Sequence, residues 1–302
     1  MGRFGSVVTA MVTPFHSDGA LDVDGAVALA DHLVSTGSDG LVLAGTTGEG
    51  PVLTDGEALD LFRAVADAVN VPIIASTGSN DTAHAVSFTQ SVAGSGVDGV
   101  LVVTPYYNRP SAAGLSAHFR TVAAATDLPV VLYDIPIRTG RRIGTDLLIE
   151  LATEVPNIMG VKDSTHDPAG AARVVAETPE TFEVYCGDDA LTLPFLAVGG
   201  VGIVSVAAHW AGGTMAEMVG AFRAGDLDGA RVANHRLAES YDFESSDLYP
   251  NPMPAKAACR AQGLPAGQCR LPNAEAPESL VDQARGVIER LHQHSSNRQS
   301  VG

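Results

Sequence analysis

The sequence has few basic residues, and lysine is almost absent from it. Only Lys162 and Lys256 occur among 302 residues, and 18 lysines and arginines stand against 35 aspartates and glutamates. The formal charge of −17 would repel a phosphate backbone and an anionic membrane surface. We therefore expect no nucleic-acid or membrane partner, and any chemistry that needs a lysine amine has two candidates.

Cysteines and long apolar runs are also scarce. The three cysteines, Cys186, Cys259 and Cys269, are odd in number, and no pair has the spacing of metal ligands. The N-terminus has no basic segment followed by an unbroken apolar one, and no run of about 18 apolar residues occurs. We expect reduced thiols, no disulfide framework and a cytoplasmic location.

Short β-branched runs alternate with helical patterns up to residue 206. The runs lie at residues 7–12, 40–44, 72–75, 99–103, 129–133, 158–162, 182–186 and 202–206. The helical segments between them include 55–69, 82–93, 114–125, 145–153 and 189–197. Apolar strands separated by helices indicate a parallel sheet buried on both faces, and eight βα units close naturally into a barrel. The sequence predicts an α/β fold, a (β/α)8 TIM barrel, with a doubly wound open sheet as the alternative.

After residue 206 the strand signal stops and helical periodicity continues. The helical segments are 214–222, 227–241, 254–261 and 278–292. A barrel of about 250 residues with an appendage fits the chain length. We predict a catalytic barrel domain over residues 1–224 and a C-terminal helical extension over residues 225–302.

Function in such a barrel lies at the C-terminal ends of the strands, where this sequence has hydroxyls, phenols and one amine. The residues concerned are Thr13, Thr46, Thr47, Ser76, Thr77, Thr104, Tyr106, Tyr107, Tyr133, Lys162, Gly187, Asp188 and Ser205. Apolar neighbours in the run IMGVK would desolvate the Lys162 ammonium and favour a neutral amine that can form a Schiff base. Position alone allows equally well an ion pair with Asp163 or Asp188, but the hydroxyl cluster and the scarcity of lysine favour chemistry.

Imine formation requires proton transfers, and groups at the strand ends could relay them. Tyr133, Tyr107, Thr46 and Thr47 are the groups available. A lone tyrosine is more often a packing residue, so it is their joint placement that favours a relay. Lys256 lies in the segment NPMPAKAACR of the predicted extension, where we expect a solvated or structural role.

Two features could bind a carboxylate. The segment GTTGEG opens a loop after the second strand, and its backbone amides could hold an anion. It lacks the GKS or GKT ending of a phosphate loop and the GxGxxG of a dinucleotide site, so neither ATP nor NAD is implied. Arg138 could receive a carboxylate through its planar fork of donors, or form a salt bridge at the rim. The nine histidines show no convergent metal pattern, and we expect no metal or other cofactor.

Several segments resemble the dihydrodipicolinate synthase family of pyruvate-dependent class I aldolases. They are GTTGE at 45–49, VTPYYNRPS at 103–111, LYDIPIRTG at 132–140, GVKDS at 160–164, GDDA at 187–190 and NPMPAK at 251–256. The resemblance extends over about residues 5–271. GTTGE and the lysine strand also occur in sister enzymes such as N-acetylneuraminate lyase and keto-deoxy-sugar aldolases. The YYN segment and the arginine of PIRTG favour the dihydrodipicolinate synthase family over these sister enzymes.

The resemblance implies that Lys162 forms a Schiff base with pyruvate. Tyr133 would be the acid and base, and Thr46 and Tyr107 would complete a proton relay with it. In this family the tyrosine matching Tyr107 reaches the site of a neighbouring subunit. The resemblance therefore implies a homo-oligomer, at least a dimer that shares Tyr107, and usually a tetramer built from two such dimers.

The resemblance also implies the groups that hold the substrates. Thr47 and the loop amides would bind the pyruvate carboxylate, and Arg138 would hold the carboxylate of L-aspartate 4-semialdehyde. Gly187 and Val204 would line the pocket through their main chain. The enamine would attack the aldehyde, and ring closure would release the lysine. The product would be 4-hydroxy-tetrahydrodipicolinate, on the route to diaminopimelate and lysine.

Two other functions remain open. A sister pyruvate lyase could act on a keto-deoxy sugar acid or another aldehyde, although Arg138 suits a second carboxylate better than a polyol chain. A non-catalytic pyruvate-binding barrel would be expected to have lost the lysine or the relay, and neither is lost here.

Regulation by lysine is a property of some members of the family, at the dimer interface. The matching positions in this chain are Asp55, Ala58 and His84, which depart from the family pattern of a histidine-rich loop and a glutamate. Asn80 and Tyr106 are retained. We predict weak or absent lysine feedback.

Overall fold

A computed structural model of the chain describes residues 2–244 and 246–299. Parallel strands in chain order form a closed barrel, in which the last strand pairs with the first. The strands are β1 (Val7–Ala10), β2 (Gly40–Leu43), β3 (Ile73–Ser76), β4 (Gly99–Val103), β5 (Val130–Asp134), β6 (Ile158–Asp163), β7 (Glu183–Cys186) and β8 (Gly202–Ser205). The predicted (β/α)8 TIM barrel is confirmed, and the open sheet is wrong.

Helices connect the strands and surround the barrel. They are α1 (Val23–Ser35), α2 (Asp55–Ala68), α3 (Thr82–Ser91), α4 (Ala112–Ala123), α5 (Pro136–Thr139), α6 (Thr145–Glu154), α7 (Pro168–Glu177), α8 (Thr192–Ala197) and α9 (Ala208–Arg223). Short 3₁₀ turns at Gly50–Val52 and Asp189–Leu191 precede α2 and α8. The start of α2 is fixed by a capping box, because the Thr54 hydroxyl accepts from the Glu57 amide and the Glu57 carboxylate accepts from the Thr54 amide.

Two apolar layers cover the two faces of the barrel sheet. Both faces of each strand are therefore buried, which explains why the strand sequences are nearly continuous hydrophobic runs. The larger layer packs the outward side chains of the strands against the helices. The smaller fills the barrel itself and consists of Phe4, Val8, Ala10, Val42, Ile74, Leu101, Val131, Tyr133, Ile135, Tyr185 and Val204. Because side chains alternate along a strand, the residue after each interior one points to the helices. This alternation decides which strand-end groups can face the mouth of the barrel.

The C-terminal extension is helical as predicted. It contains α10 (Leu227–Arg236), α11 (Ala238–Phe243), α12 (Met253–Ala261) and α13 (Glu278–Gln299). The predicted domain boundary between residues 224 and 225 falls between α9 and α10. The last helix continues beyond its predicted end at residue 292, and residues 300–302 of the predicted extension lie outside the described residues. Within the described ranges, no helix has both the length and the hydrophobicity that a membrane span requires.

Candidate active site

A cavity of about 450 Å³ opens at the C-terminal end of the barrel. Thr46 from the loop after β2, Tyr133 from the end of β5 and Arg138 from α5 line it. Asn251 from the extension also lines it. The cavity therefore lies at the end of the barrel where the sequence predicted the functional groups.

Lys162 and Tyr133 lie side by side inside the barrel. They are register partners on β6 and β5, and Nζ of Lys162 is 4.4 Å from the centre of the Tyr133 ring. Both are buried, with 5% and 4% of their surface exposed. The structure thus places the predicted amine directly against the predicted acid and base.

The alternative role of Lys162, an ion pair with a nearby aspartate, is not what the structure shows. Asp163 follows it on β6, where alternation turns its side chain toward the helices, and its Oδ1 accepts from the Thr165 amide at 2.8 Å. Asp188 lies 2.7 Å from Nε2 of His166. Both candidate carboxylates are therefore engaged elsewhere.

Gly187 follows β7 and packs against the side chain of Lys162. Its amide donates to the carbonyl of Asp163 at 2.8 Å, and its carbonyl accepts from the Ser164 hydroxyl at 3.1 Å. A Cβ at this position would lie 3.1 Å from both Cγ and Cε of Lys162, closer than side chains normally approach. A glycine here leaves room for the lysine methylene chain.

The loop 45–49 forms a tight turn in which Thr46 lines the cavity and Thr47 is buried. The Glu49 amide donates to the carbonyl of Thr46 at 3.1 Å, and the Gly50 amide donates to that of Gly45 at 3.0 Å. Within the described part of the chain, the amides of Thr46 and Thr47 donate no hydrogen bond to another group. These two amides are therefore available as donors, and anion binding by this loop stays a prediction.

Asn251 links the two predicted carboxylate-binding residues, and sequence reasoning did not single it out. Its Nδ2 donates to the hydroxyl of Thr47 at 3.0 Å, and its main-chain carbonyl accepts from Nη2 of Arg138 at 3.4 Å. Thr47 is buried, whereas Arg138 is exposed on the cavity wall. The NPMPAK motif that contains Asn251 was the available signal.

Val204 is an interior residue of β8 and is buried in the same apolar cluster as Tyr133. Its strand register with Val8 of β1 closes the barrel at this point. Val204 is not among the residues that line the 450 Å³ cavity, so its place in the pocket wall stays a prediction.

Tyr107 is not brought together with Tyr133 and Thr46 within one chain. It is 92% exposed, and it does not line the cavity that its neighbour Tyr106 lines. Its φ of 69° lies in the left-handed region, where a three-residue turn forms as the Asn108 amide donates to the carbonyl of Tyr106 at 2.8 Å. The turn projects the phenol away from the site of its own chain.

Buried carboxylates lie directly behind the lysine and the tyrosine. Asp134 and Asp163 follow Tyr133 and Lys162 and are themselves register partners. Burial raises the pKa of Asp134 to about 7, and the neighbouring Asp163 adds to the effect. Burial also raises the pKa of Asp163. The pair favours a protonated carboxyl behind the site near neutral pH.

Lys256 is fully buried, so a solvated role for it is wrong. Its Nζ lies 2.7 Å from Oε1 of Glu49 and donates to the carbonyl of Gln268 at 2.8 Å. Burial lowers the pKa of Lys256, and the Glu49 carboxylate opposes that change. Among the described residues, no three His, Cys, Asp or Glu side chains are grouped as metal ligands.

Comparison with known proteins agrees with this geometry. Residues 3–291 match the model of the dihydrodipicolinate synthetase family. The chain is 50% identical over 272 residues to the 4-hydroxy-tetrahydrodipicolinate synthase of Moorella thermoacetica, a match covering 89% of this chain and 92% of the relative. Dihydrodipicolinate synthase of Bacillus anthracis has a TM-score of 0.91 at 40% identity, covering 96% of this chain and 99% of that one. The lysine-bound enzyme of Cyanidioschyzon merolae has a TM-score of 0.93 at 41% identity, covering 97% and 99%. The resemblance seen in the motifs is confirmed, and the chain belongs to the dihydrodipicolinate synthetase family.

Proposed function

We propose that this chain is a 4-hydroxy-tetrahydrodipicolinate synthase, a lyase that condenses pyruvate with L-aspartate 4-semialdehyde through a Schiff base. The observation that carries the proposal is the contact between Lys162 and Tyr133 at the mouth of the barrel. An amine that forms an imine needs a group beside it that can donate and accept protons, and a phenol meets that need.

The first half of the reaction activates pyruvate. Nζ of Lys162 attacks the keto carbon, and the new carbinolamine loses its oxygen as water after Tyr133 supplies a proton. The resulting iminium then loses a proton from the methyl carbon and becomes an enamine. Thr46 lies on the cavity wall with Tyr133 and would pass protons to and from the phenol. No metal or nucleotide is needed, because the iminium itself accepts the electron pair.

The second half joins the two substrates. The enamine carbon forms a bond to the aldehyde carbon, and the aldehyde oxygen takes a proton from Tyr133. The amine of the semialdehyde then attacks the iminium carbon and displaces Lys162 as the ring closes. This step regenerates the free lysine and releases 4-hydroxy-tetrahydrodipicolinate.

Two groups of residues would hold the substrates. The free amides of the loop 45–49 and the Thr47 hydroxyl suit the pyruvate carboxylate. Arg138 suits the second carboxylate, because its guanidinium presents a planar fork of donors on the cavity wall. The main chain at Gly187 and Val204 would complete the pocket.

The proposal includes an oligomer and a cytoplasmic location. Tyr107 projects away from its own cavity, and a second copy of the chain that receives it would complete the relay. We expect at least a dimer, and a tetramer of two such dimers.

The test is trapping of the imine by borohydride in the presence of pyruvate, followed by peptide mapping. A reduced three-carbon adduct should appear on the peptide that contains Lys162. Lys256 is the only other lysine and serves as an internal control. An adduct on Lys256, or none at all, would contradict the mechanism. If the adduct forms, turnover with L-aspartate 4-semialdehyde should exceed turnover with a sugar aldehyde, and the reverse would favour a sister lyase.

A further inference from the structure

The C-terminal extension contacts the loop 45–49 at two points within six residues. Asn251 donates to the Thr47 hydroxyl at 3.0 Å, and Nζ of Lys256 lies 2.7 Å from Oε1 of Glu49. Asn251 lies two residues before the first residue of α12, and Lys256 lies in the first two turns of that helix. The extension therefore holds the loop that would bind the pyruvate carboxylate.

The ion pair between Glu49 and Lys256 is fully enclosed. Glu49 is 3% exposed and Lys256 is 0% exposed, and Nζ of Lys256 also lies 4.3 Å from the centre of the Phe15 ring. The second carboxylate oxygen of Glu49 accepts from the Arg270 amide at 2.9 Å. Removal of one partner would leave a buried charge unpaired, so each residue depends on the other.

The backbone at Glu49 makes the loop sensitive to this pair. Its φ of 56° lies in the left-handed region, which a residue other than glycine keeps only when its surroundings hold it there. The Glu49 amide also donates to the carbonyl of Thr46. A change in the Glu49 side chain would therefore be transmitted to Thr46 and Thr47.

The direction of the hydrogen bond between Asn251 and Thr47 determines what the Thr47 hydroxyl can bind. A hydroxyl can donate only one hydrogen, and that of Thr47 accepts from Nδ2 of Asn251. Its own hydrogen is therefore left for another acceptor. A carboxylate of pyruvate is an acceptor of this kind.

We propose that Asn251 and Lys256 are positioning residues that hold the loop 45–49 in the shape that binds the pyruvate carboxylate. Lys256 acts through Glu49, and Asn251 acts through the Thr47 hydroxyl. The inference rests on the proposed function, because it assumes that pyruvate forms an imine on Lys162. It assigns the second lysine of the chain a role in substrate binding without contact with the substrate.

The first test replaces both members of the ion pair, in the variant E49Q/K256M. Neither side chain then carries a charge, so the variant should fold where the single substitutions do not. The pyruvate concentration for half-maximal imine trapping should rise by roughly tenfold to a hundredfold, because a small misplacement of binding groups has effects of that size. The KM for pyruvate should rise with it, whereas kcat should change less.

The matched control is E239Q/R290M, which removes an ion pair between α11 and α13. Glu239 and Arg290 join two helices of the extension without reaching the loop, so pyruvate binding should stay as in the wild type. A folded E49Q/K256M variant that also binds pyruvate as the wild type does would overturn the proposal. Absence of trapping in the wild type would instead overturn the proposed function.

The second test compares Asn251→Ala with Asn251→Asp. The alanine variant loses the contact with Thr47, whereas the aspartate variant turns the contact around by accepting the Thr47 hydrogen and adding a negative charge. Half-maximal trapping should therefore need more pyruvate in the aspartate variant than in the alanine variant, and more in both than in the wild type. Equal values for all three proteins, at similar melting temperatures, would contradict the role of Asn251.

Discussion

Nζ of Lys162 lies 4.4 Å from the centre of the Tyr133 ring because the two residues are register partners on neighbouring strands. A slip of one residue in either strand would turn one of the two side chains out of the barrel. The barrel packing that fixes this register also fixes the proposed chemistry. The stability of the fold and the geometry of the site therefore have the same origin.

Substitution of Tyr133 by phenylalanine should remove the proton transfer and keep the packing. We expect kcat to fall by roughly 10²–10⁴-fold, the usual contribution of a positioned acid or base. The KM for pyruvate and the melting temperature should change little. Tyr185→Phe is the matched control, because Tyr185 belongs to the same interior cluster but its hydroxyl contacts Glu183 and the Phe4 amide. Comparable activity in the two variants would contradict the role of Tyr133.

Substitution of Gly187 by alanine should displace Lys162. The new Cβ would clash most severely with the Ser164 hydroxyl and would also lie 3.1 Å from Cγ and Cε of the lysine, so both side chains would have to shift. We expect the rate of imine trapping to fall by roughly tenfold or more, because the amine leaves its reactive position. Gly220→Ala in α9 is the control, since no atom lies within 4 Å of the added Cβ. Normal trapping in the Gly187 variant would show that the added Cβ does not displace the lysine amine from its reactive position.

Mixing two inactive proteins should restore activity if Tyr107 serves a neighbouring site. Tyr107→Phe lacks the phenol and Lys162→Ala lacks the amine, yet a hybrid oligomer has one site with both groups. The exposed phenol on its left-handed turn is the reason for this expectation. Co-refolded or co-expressed chains can be assayed against each variant alone. If the mixture forms hybrids and stays inactive, Tyr107 does not act across the interface.

Lysine should inhibit this protein weakly. Nε2 of His84 lies 3.0 Å from Oδ1 of Asp55, so the two side chains satisfy each other at the edge of the cavity. Ala58 offers no polar group beside them. Initial rates should be measured over a range of L-lysine concentrations, with D-lysine as a control for ionic strength. An inhibition constant for L-lysine below the millimolar range would contradict this prediction.

The buried carboxyl of Asp134 should make stability fall as pH rises toward neutrality. Its pKa is about 7 in the folded protein and 3.8 for the unperturbed group, so between these values the folded state binds the proton more tightly. The stabilisation from this group is complete below about pH 4 and is lost as the pH rises through 7. The slope approaches roughly 1.4 kcal/mol per pH unit for one proton.

The comparison that isolates this effect is the wild type against Asp134→Asn. Denaturant unfolding at pH 5 and pH 8 gives the change in unfolding free energy for each protein. The asparagine cannot ionise, so the wild type should lose more stability between the two pH values than the variant does. Parallel losses would show that Asp134 is ionised throughout this range.

The sequence by itself determined the architecture and the family and named the candidate residues of the site. Apolar runs separated by helical patterns have one common solution, a parallel sheet covered on both faces, and their recurrence indicated a closed barrel. The end of a barrel strand is a functional position, so the residues that end or follow each run pointed to Lys162, Tyr133 and Thr46. The architecture depends on local periodicity and the family on short motifs, and both can be recognised from consecutive residues.

Only the tertiary structure decided which groups meet. Which residue of β5 lies beside Lys162 depends on the barrel register, which a strand pattern does not specify. The contact between Thr47 and Asn251 joins residues 204 positions apart, and the burial of Lys256 against Glu49 depends on how α12 packs on the barrel. Periodicity shows that a face is buried, but the partner of that face is chosen by the packing of distant segments.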